Sequence, residues 1–426
     1  MRFLYTIFIY LISPIVFIRL FRLGFKNPEY WSRWSERFGV ITWNKTDKPV
    51  IWIHAVSVGE VNAAKPIIDH LLDKHSNYLI LLTTVTPTGK QTVKQHFRDE
   101  VEHLYLPYDL PFAVNQFIEK IKPKLLITME TEIWPNLYHF CNKKIIPILL
   151  VNARLSEKSA RGYRLVSGLM RETLQKINLI AAQTMADAER FICLGANNEN
   201  VSVTGNLKFD ISIPHSVNEQ AEVLKRYFSV NRPIWMAAST QEGEDKSILD
   251  AHNQILKSYP AAILIIAPRH PERASQIESL CREQGLLYIK RTEQKPFTEN
   301  TPVYLLDTLG ELQPHYAATQ IAFVGGSLVN TGGQNMLEPA SLGLAVLSGP
   351  HTYNFTEVSE MLSRAGVLQF IHSANELAKA VCVLFEDANL RHNIGEKGRK
   401  VIEANKGNIK RLMELVEPYL SHDATY

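Results

Sequence analysis

Short apolar segments alternate with longer amphipathic segments along most of the chain. Continuous apolar runs bounded by polar turns are typical of strands buried in a parallel sheet, and the segments between them have the spacing of helices. The first series of predicted strands comprises residues 50–55, 78–84, 124–129, 145–151 and 179–182. The second series follows a polar stretch at residues 210–218 and comprises residues 233–237, 262–267, 286–289, 302–305, 321–324 and 345–347. This order predicts two doubly wound α/β halves with a ligand-binding cleft at the domain boundary.

The N-terminal 24 residues depart from this pattern. The segment Phe3–Ile18 contains no charged residue, lies between Arg2 and Arg19, and would form a helix of about 24 Å, which is marginal for crossing a bilayer. No alanine precedes the first predicted strand, so the small residues of a signal-peptide cleavage site are missing. We therefore expect an uncleaved membrane anchor over residues 1–24. An amphipathic helix that lies on the membrane, kinked at Pro14, is the alternative.

Composition narrows the class of protein. Of the 426 residues, 46% are hydrophobic and 21% are charged, as in globular domains. The formal net charge of +3 provides no overall basic field, so we expect no nucleic-acid partner. The four cysteines include no CxxC pair, which favours buried thiols in a reducing compartment over a disulfide or a zinc site.

Basic residues dominate the segment around and after the end of the predicted anchor. By the positive-inside rule, this bias places the rest of the chain in the cytoplasm. The basic positions are Arg19, Arg22, Lys26, Arg33 and Arg37, against the acidic Glu29 and Glu36.

Three tetrads end in a glutamate where a predicted strand leads into a helix. They are Ser57–Glu60, Thr308–Glu311 and Asn335–Glu338. Each resembles a helix cap in which the fourth residue is the N3 carboxylate. Each also lies at the edge of an open α/β sheet where ligands bind, and the occurrence of three together favours a function.

Two further segments predict a phosphate site at the same edge of the second sheet. Residues 323–340 run from a strand through two glycine pairs to a helix near Asn335. Glycines let the backbone come close to a ligand, and free N–H groups at the helix start favour a phosphate. The segment matches neither GxGxxG nor GxxxxGK[ST], and two tight turns are the alternative. Arg269 follows the strand that ends at Ala267, where its guanidinium could pair with phosphate, unless it is only a surface arginine in a proline-braced turn.

Six separated motifs resemble those of the 3-deoxy-D-manno-octulosonic acid (Kdo) transferase family. The resemblance runs in order from the anchor to about Phe355. Two places depart from the family's usual pattern. Gln334 stands where the family usually has histidine, and the other departure is Asn330-Thr331, just before the second glycine pair. The motifs are Trp52–Glu60, Met129–Asn136, Asn152–Ser156, Thr204–Asp210, Pro268–Arg273 and the glycine-rich segment 323–340.

The resemblance implies a GT-B glycosyltransferase of lipopolysaccharide biosynthesis with two Rossmann-like domains that face a cleft. It would transfer Kdo, with inversion, from CMP-Kdo to the lipid A precursor (lipid IVA) at the cytoplasmic face of the bacterial inner membrane. The domains would be the anchor at residues 1–24, a lipid-acceptor domain at 25–212, and a CMP-Kdo-binding domain at 213–426 whose last helices, within 407–420, cross back to the first domain. Inner membrane lipids are the further partner; the oligomeric state and the number of Kdo units are left open.

The resemblance also assigns roles to residues of this chain. Glu60 would be the catalytic base, and its position at a helix start leads us to expect a lowered pKa. Glu130 and Lys208 would stabilise the transition state. CMP would be bound by Pro268, Arg269, Leu309, Gly310, Glu311, Asn335, Met336, Leu337 and Glu338.

The absence of an Asp-x-Asp pair from the sequence predicts an enzyme that needs no metal and no cofactor besides its donor substrate. Two alternatives remain at this point. One is a GT-B enzyme that uses another sugar nucleotide, such as a UDP-sugar transferase or epimerase. The other is a catalytically silent membrane scaffold.

Overall fold

The computed structural model of the protein describes residues 1–26, 28–43, 47–211, 213–229 and 232–421. It divides into two compact units. The first comprises Met1–Asp210 and the segment from Gly407 onward, and the second comprises Ile211–Lys406.

The described residues of the first unit contain a seven-stranded parallel sheet in the order β3-β2-β1-β4-β5-β6-β7. Successive residues of β1 enter cores on opposite faces, Trp52 on one and Ile53 on the other, which explains why the strand is apolar throughout. The strand order reverses between β1 and β4, so the turns that follow these two strands adjoin at a topological switch point. The strands are β1 (Val50–His54), β2 (Leu79–Thr84), β3 (Glu102–Tyr105), β4 (Pro123–Met129), β5 (Ile148–Ala153), β6 (Leu179–Ala182) and β7 (Val201–Val203).

The described part of the second unit repeats this plan, with seven parallel strands in the order β10-β11-β9-β8-β12-β13-β14. Here the order reverses between β8 and β12, so the turns after these two strands adjoin. The strands are β8 (Ile234–Thr240), β9 (Ile263–Pro268), β10 (Tyr288–Lys290), β11 (Val303–Leu305), β12 (Ile321–Val324), β13 (Ala345–Ser348) and β14 (Leu368–Phe370).

Helices flank both sheets. The first unit contains α1 (Arg2–Lys26), α2 (Val58–Lys74), α3 (Pro87–Phe97), α4 (Pro111–Ile121), α5 (Pro135–Lys143), α6 (Glu157–Arg164), α7 (Ser167–Leu174) and α8 (Met185–Cys193). The second contains α9 (Ser216–Tyr227), α10 (Asp245–Ser258), α11 (Ala274–Glu283), α12 (Leu312–Ala317), α13 (Leu337–Ser341), α14 (Thr356–Arg364), α15 (Ala374–Glu386) and α16 (Ala388–Ala404), and α17 (Asn408–Ser421) belongs to the first unit.

The C-terminal helix α17 is held in the first unit by polar and apolar contacts. The Asp210 carboxylate accepts hydrogen bonds from the backbone N–H groups of Gly407, at 2.6 Å, and Ile409. Leu412 and Val416 of α17 join the same core cluster as Ile67 of α2. The chain therefore returns to the first sheet at its C-terminal end.

The N-terminal helix α1 is apolar enough and long enough, over Arg2–Phe25, to be a candidate membrane span by length and composition. One face of it packs on the first unit. The Tyr5 hydroxyl donates to Asp109 at 2.9 Å, Arg2 donates to the Asn136 side-chain oxygen at 3.0 Å, and Phe17 packs on the ring of Phe38. The opposite face exposes Phe3, Ile7, Tyr10, Leu11, Ile15, Ile18, Phe21 and Phe25.

Candidate active site

Glu60 lies at the switch point of the first sheet, in the first turn of α2. Its backbone N–H donates to the Ser57 side chain at 3.4 Å, and its own carboxylate accepts from the backbone N–H of Val56 at 2.8 Å and from the Ser57 hydroxyl at 3.1 Å. This is the reciprocal capping arrangement that the tetrad Ser57–Glu60 predicts. Because both Glu60 oxygens are held, the carboxylate has a fixed position at the sheet edge.

The environment of Glu60 corrects one expectation from the sequence. Burial raises the pKa of the Glu60 carboxyl to about 8, with the nearby charges of Glu132 and Glu130 adding to this effect. The hydrogen bonds from Val56 and Ser57 lower the pKa but do not overcome the burial. The expected lowering by the helix start is therefore wrong, and Glu60 is a stronger base than its position on the helix indicates.

Glu130 and Lys208 are brought together in the first unit. Glu130 follows β4 with a left-handed backbone, at a φ of 53°, and its carboxylate oxygen Oε1 lies 3.2 Å from the ammonium nitrogen of Lys208. Both side chains are about one-fifth exposed, at 21% for Glu130 and 23% for Lys208. A positive φ costs a non-glycine residue about 1–2 kcal/mol, and such strain often occurs at functional sites. The pair therefore forms a partly buried ion pair within reach of solvent.

Asn152 positions the turn that carries Lys208. Its side-chain oxygen accepts the backbone N–H of Leu207 at 3.1 Å, and the oxygen of Asn206 accepts the N–H of Lys208 at 3.0 Å. Asn152 itself is fully buried at the end of β5 with a φ of 51°. The short helical turn Leu207–Phe209 is thus tied to the sheet, which fixes the start of the lysine side chain.

Glu132 is a third carboxylate at this switch point, and the sequence interpretation did not select it. It lies in the loop between β4 and α5, and its oxygen Oε2 accepts from the indole N–H of Trp134 at 2.9 Å and lies 3.8 Å from His54 Nε2. We call His54, Glu60, Glu130, Glu132 and Lys208 the acid cluster. The signal in the sequence was the second glutamate of Met129–Asn136, two residues after Glu130 and next to the same strand end.

The switch point of the second sheet is organised by Glu244, which the sequence interpretation also missed. This fully buried carboxylate accepts backbone N–H groups from the turn after β8 and from the glycine-rich segment after β12. The donors are Gln241 and Gly326 to one oxygen, at 2.8 and 2.7 Å, and Ser327 and Leu328 to the other, both at 2.8 Å. Residue 325, beside Glu244, must be glycine, because a Cβ there would lie 2.7 Å from the Thr240 backbone.

The first glycine pair approaches a protein group. The N–H groups of Gly326, Ser327 and Leu328 point at the Glu244 carboxylate, which occupies this turn. The segment then closes on itself, since Gly326 O accepts from Gly333 N at 2.7 Å. The N–H groups of this first turn bind Glu244, so a phosphate would have to be bound by other groups.

The predicted nucleotide residues Asn335–Glu338 lie together at the start of α13. Asn335 accepts the backbone N–H of Leu337 at 3.0 Å and donates its side-chain N–H to the Glu338 carboxylate at 3.2 Å. Burial raises the pKa of Glu338. Met336 and Leu337 are buried, so these two can offer a ligand backbone groups more readily than side chains.

The tetrad Thr308–Glu311 is not a capping box. Glu311 is itself the cap of α12, which begins at Leu312, and its carboxylate pairs with Arg291 at 3.0 Å and accepts the Thr308 hydroxyl. Leu309 and Gly310 lie on an exposed turn, where Gly310 has a φ of 82°. The sequence interpretation of this tetrad as an N3 carboxylate is therefore wrong, although its residues lie at a strand-to-helix turn as predicted.

Pro268 and Arg269 lie at the end of β9, beside β8. The backbone N–H of Arg269 donates to the carbonyl of Thr240 at 3.0 Å, and its side chain is half-buried. Arg273 takes the structural role in this turn, because its guanidinium donates to the Thr240 carbonyl and pairs with Asp245. Among the residues that the structure describes, no group of three or more His, Cys, Asp or Glu side chains could hold a metal ion.

Comparison with solved structures identifies the fold class. A UDP-GlcNAc 2-epimerase from Neisseria meningitidis, solved with UDP-GlcNAc, matches at a TM-score of 0.57 and 16% identity over 87% of this chain and all of the other. A glycosyltransferase from Rickettsia africae matches at 0.56 and 13% over 88% of this chain and all of the other. At these identities the likeness concerns the fold, and together with the two parallel sheets it defines the GT-B class, as predicted.

Sequence comparison identifies the family. A 3-deoxy-D-manno-octulosonic acid transferase from Haemophilus influenzae is 40% identical over 99% of each chain, and one from Bordetella pertussis is 32% identical over 98% of this chain and 99% of the other. The family model for 3-deoxy-D-manno-octulosonic-acid transferase (Kdo transferase) matches residues 32–211. The chain belongs to the Kdo transferase family and is a glycosyltransferase, which confirms the resemblance found in the sequence.

Proposed function

We propose that the protein transfers Kdo from CMP-Kdo to a hydroxyl of the lipid A precursor lipid IVA, with inversion at the anomeric carbon. The observation that carries this proposal is the fixed Glu60 carboxylate, whose pKa is raised to about 8 at the switch point of the first sheet, in a chain of the Kdo transferase family. A base with this pKa is matched to a neutral working pH. The alternatives of a UDP-sugar enzyme and a silent scaffold have no comparable support.

The reaction needs one proton transfer and one displacement. Glu60 takes the proton of the acceptor hydroxyl while that oxygen bonds to the anomeric carbon, and the bond from this carbon to the phosphate oxygen breaks with its electron pair leaving on CMP. Lys208 supplies positive charge opposite the developing negative charge, and Glu130, its ion-pair partner, faces the electron-poor sugar. Positioning of the two substrates supplies much of the rate.

CMP-Kdo is assigned to the second unit. Asn335 and the N–H groups that follow it would contact the phosphate, and the Glu338 carboxylate would accept the ribose hydroxyls. Pro268 and Arg269 at the end of β9, with Leu309, Gly310 and Glu311 on their exposed turn, would complete the CMP site. Because Arg291 and Thr308 already hold Glu311, its carboxylate has a defined position for a ligand N–H or hydroxyl.

An apolar cavity beside the acid cluster supports a lipid acceptor. It has a volume of about 590 Å³ and lies between the start of α1, the loop before α5, and the segment around α6 and α7. Glu132 stands among its lining residues, so an acyl chain in this cavity would place the polar end of a lipid near Glu60. The apolar lining includes Leu4, Phe8, Ile133, Trp134, Leu169 and Met170.

Mass spectrometry of a tetra-acylated lipid A precursor, incubated with the protein and freshly generated CMP-Kdo, tests the proposal. We expect a mass gain of one or more Kdo units. Protein that is stabilised by CMP against thermal unfolding but adds no mass would overturn the acceptor assignment. Stabilisation by UDP and not by CMP would favour the UDP-sugar alternative.

The pH dependence of transfer follows from the raised pKa of Glu60. Below about pH 8 the carboxyl is protonated and cannot accept the hydroxyl proton, so the rate should rise about tenfold per pH unit up to pH 8 and then level off. A carboxyl at its ordinary pKa of 4.5 would give a rate independent of Glu60 ionisation from pH 6 to 9. Initial rates at saturating substrate between these values distinguish the two, and a flat profile would contradict the raised pKa of Glu60.

Transfer should also proceed without a metal. We expect the rate to remain within about twofold after prolonged treatment with a chelator, since Lys208 and backbone N–H groups can stabilise the leaving phosphate. The measurement is the mass gain of the acceptor with the chelator and after addition of Mg²⁺ or Mn²⁺. Loss of activity that a divalent ion restores would refute metal independence.

We propose that α1 attaches the enzyme to the cytoplasmic face of the bacterial inner membrane by lying in the interface. Tyr5 and Arg2 form hydrogen bonds to the first unit, which a helix end on the far side of a bilayer could not do. The apolar side chains of the opposite face are exposed and available to lipid.

Cysteine labelling tests this mode of attachment. Phe3→Cys, in a variant whose other cysteines are replaced, should resist a membrane-impermeant maleimide in intact spheroplasts and react after solubilisation in detergent, because it lies on the same side of the membrane as the enzyme body. The control is a variant that retains only the exposed Cys193 of the body, which should behave in the same way. Reaction of the Phe3 position in intact spheroplasts would indicate a spanning helix instead.

A further inference from the structure

His54 is the buried titratable group of the acid cluster that the proposed reaction does not use. It ends β1 and has no exposed surface. Its ring nitrogen Nδ1 lies 3.1 Å from the carbonyl oxygen of Thr83 and 3.0 Å from the hydroxyl oxygen of the same residue. The other ring nitrogen, Nε2, is buried and has no hydrogen-bond partner within 3.5 Å among the described residues.

The hydrogen-bond partners of His54 Nδ1 show that this nitrogen carries a hydrogen. A carbonyl oxygen can only accept, and the Thr83 hydroxyl, whose oxygen accepts from Trp52 at 2.9 Å, directs its own hydrogen to the carbonyl of Ile53 at 3.3 Å. Both neighbours of Nδ1 are therefore acceptors, so Nδ1 carries a hydrogen. In a neutral ring, Nε2 would then present a lone pair.

That lone pair would face a carboxylate. The Oε2 atom of Glu132 lies 3.8 Å from His54 Nε2, within ion-pair distance. Two acceptors facing each other in a largely buried site are unfavourable, whereas a proton between them turns the contact into a charge-assisted pair. Trp134 Nε1 donates to the same oxygen at 2.9 Å and holds the carboxylate in this orientation.

We infer that His54 and Glu132 hold one proton between them and that this pair sets the electrostatic environment of Glu60. Each acid that flanks Glu60 then has a cation of its own: Lys208 for Glu130, at 3.2 Å, and His54 for Glu132. Glu60 is left as the carboxylate of the acid cluster whose partners are neutral donors. The arrangement thus selects Glu60, among three acids, as the group that gains and loses a proton during transfer.

The charged and titratable groups around Glu132 come from several elements. His54 faces it from β1, Glu60 from the start of α2, Tyr138 from α5 and Tyr163 from α6. Burial, with the Glu132 charge as a further cause, raises the pKa of both tyrosines, so they stay neutral and do not compete for the charge. His54 is the group of this set that can become a cation.

Nitrogen NMR of the labelled protein tests the pair without any need for catalysis. At pH 7.5 we expect both ring nitrogens of His54, assigned by comparison with His54→Asn, to have shifts typical of protonated nitrogens. In Glu132→Gln the Nε2 signal should move to the range of an unprotonated nitrogen. An unprotonated Nε2 in the wild type, or a signal that Glu132→Gln does not change, would overturn the inference.

Kinetics supply the second test, which rests on the proposed function. His54→Asn leaves Glu132 without its cation, so the acidic limb of the rate profile should move up by on the order of one pH unit. Glu132→Gln removes the carboxylate together with the proton on Nε2, so the net charge beside Glu60 is unchanged and the limb should move less than in His54→Asn. A neutral, purely structural His54 predicts that His54→Asn leaves the limb in place, and that result would overturn the inference.

The two proposals can fail separately. In His54→Asn the new side-chain amide can still donate to the Thr83 carbonyl, and the midpoint of thermal unfolding checks that the variant folds. If His54→Asn does not fold, the comparison of wild type with Glu132→Gln by NMR decides alone, since Glu132 is partly exposed and should tolerate glutamine. Absence of Kdo transfer by the wild type would refute the proposed function and leave the NMR result for the pair intact.

Discussion

Glu60→Gln should lower the rate constant of Kdo transfer by about 10²–10⁴-fold, the range that a positioned general base contributes. Glutamine keeps an oxygen that can accept the backbone N–H of Val56, so the start of α2 should survive. What it loses is the basic oxygen that takes the proton. The measurement is single-turnover transfer with the acceptor mass as readout, at pH 8.5, where the wild-type carboxyl is ionised.

The matched control separates the chemical role of Glu60 from its role as a cap. Ser57→Ala removes the other half of the capping box and should cost about 1 kcal/mol of folding free energy, while the Val56 N–H still holds one oxygen of the Glu60 carboxylate. We expect Ser57→Ala to keep the rate within about tenfold. If Ser57→Ala is as inactive as Glu60→Gln, or if both are active, Glu60 serves the helix and is not the base.

Glu244→Gln should destabilise the second unit by about 2–6 kcal/mol and reduce transfer by at least about 10²-fold. One carboxylate oxygen becomes an N–H₂ group that faces two backbone N–H donors, and each unsatisfied buried donor costs about 1–3 kcal/mol. The glycine-rich segment then loses the anchor that sets its path toward Asn335. A displacement of about 1 Å in a substrate site is enough for a loss of this size.

Glu242→Gln is the control for this variant, because Glu242 lies two residues earlier, is exposed and loses the same charge. It should unfold at the wild-type temperature and keep its activity. Thermal unfolding with and without CMP gives the stability and the nucleotide response of both variants. A Glu244→Gln protein as stable as Glu242→Gln would contradict the role of Glu244 as the clamp of the glycine-rich segment.

The sheets could be predicted from the sequence except at three of their four edges. Residues 102–105, 201–203 and 368–370 form strands that the apolar pattern did not indicate, and all three are edge strands. An edge strand has solvent on one side, so it tolerates residues such as Glu102 and Gln369 and breaks the continuous apolar run that marks a central strand. The long central strands carried the signal because both of their faces are covered.

The candidate site was predicted in its location more than in its electrostatics. The strand-end position of Glu60 follows from the pattern, whereas its pKa depends on burial and on Glu132, a contact made through the fold. Glu244 was missed because the predicted strand stopped at residue 237, although β8 runs to Thr240 and brings Glu244 to the switch point. Three of the four donors to its carboxylate come from residues more than eighty positions away, which no local pattern encodes.

The contact between α1 and Asp109 bears on how inhibitors of this enzyme should be sought. Asp109 accepts hydrogen bonds from Tyr5 and from the backbone of Asn136 and Leu137, at the end of the loop that carries Glu132. A protein shortened at its N terminus to simplify purification would lose this tie, together with one wall of the apolar cavity. Compound screens on such a shortened protein would be directed at a deformed cavity, so full-length enzyme in nanodiscs is the appropriate target.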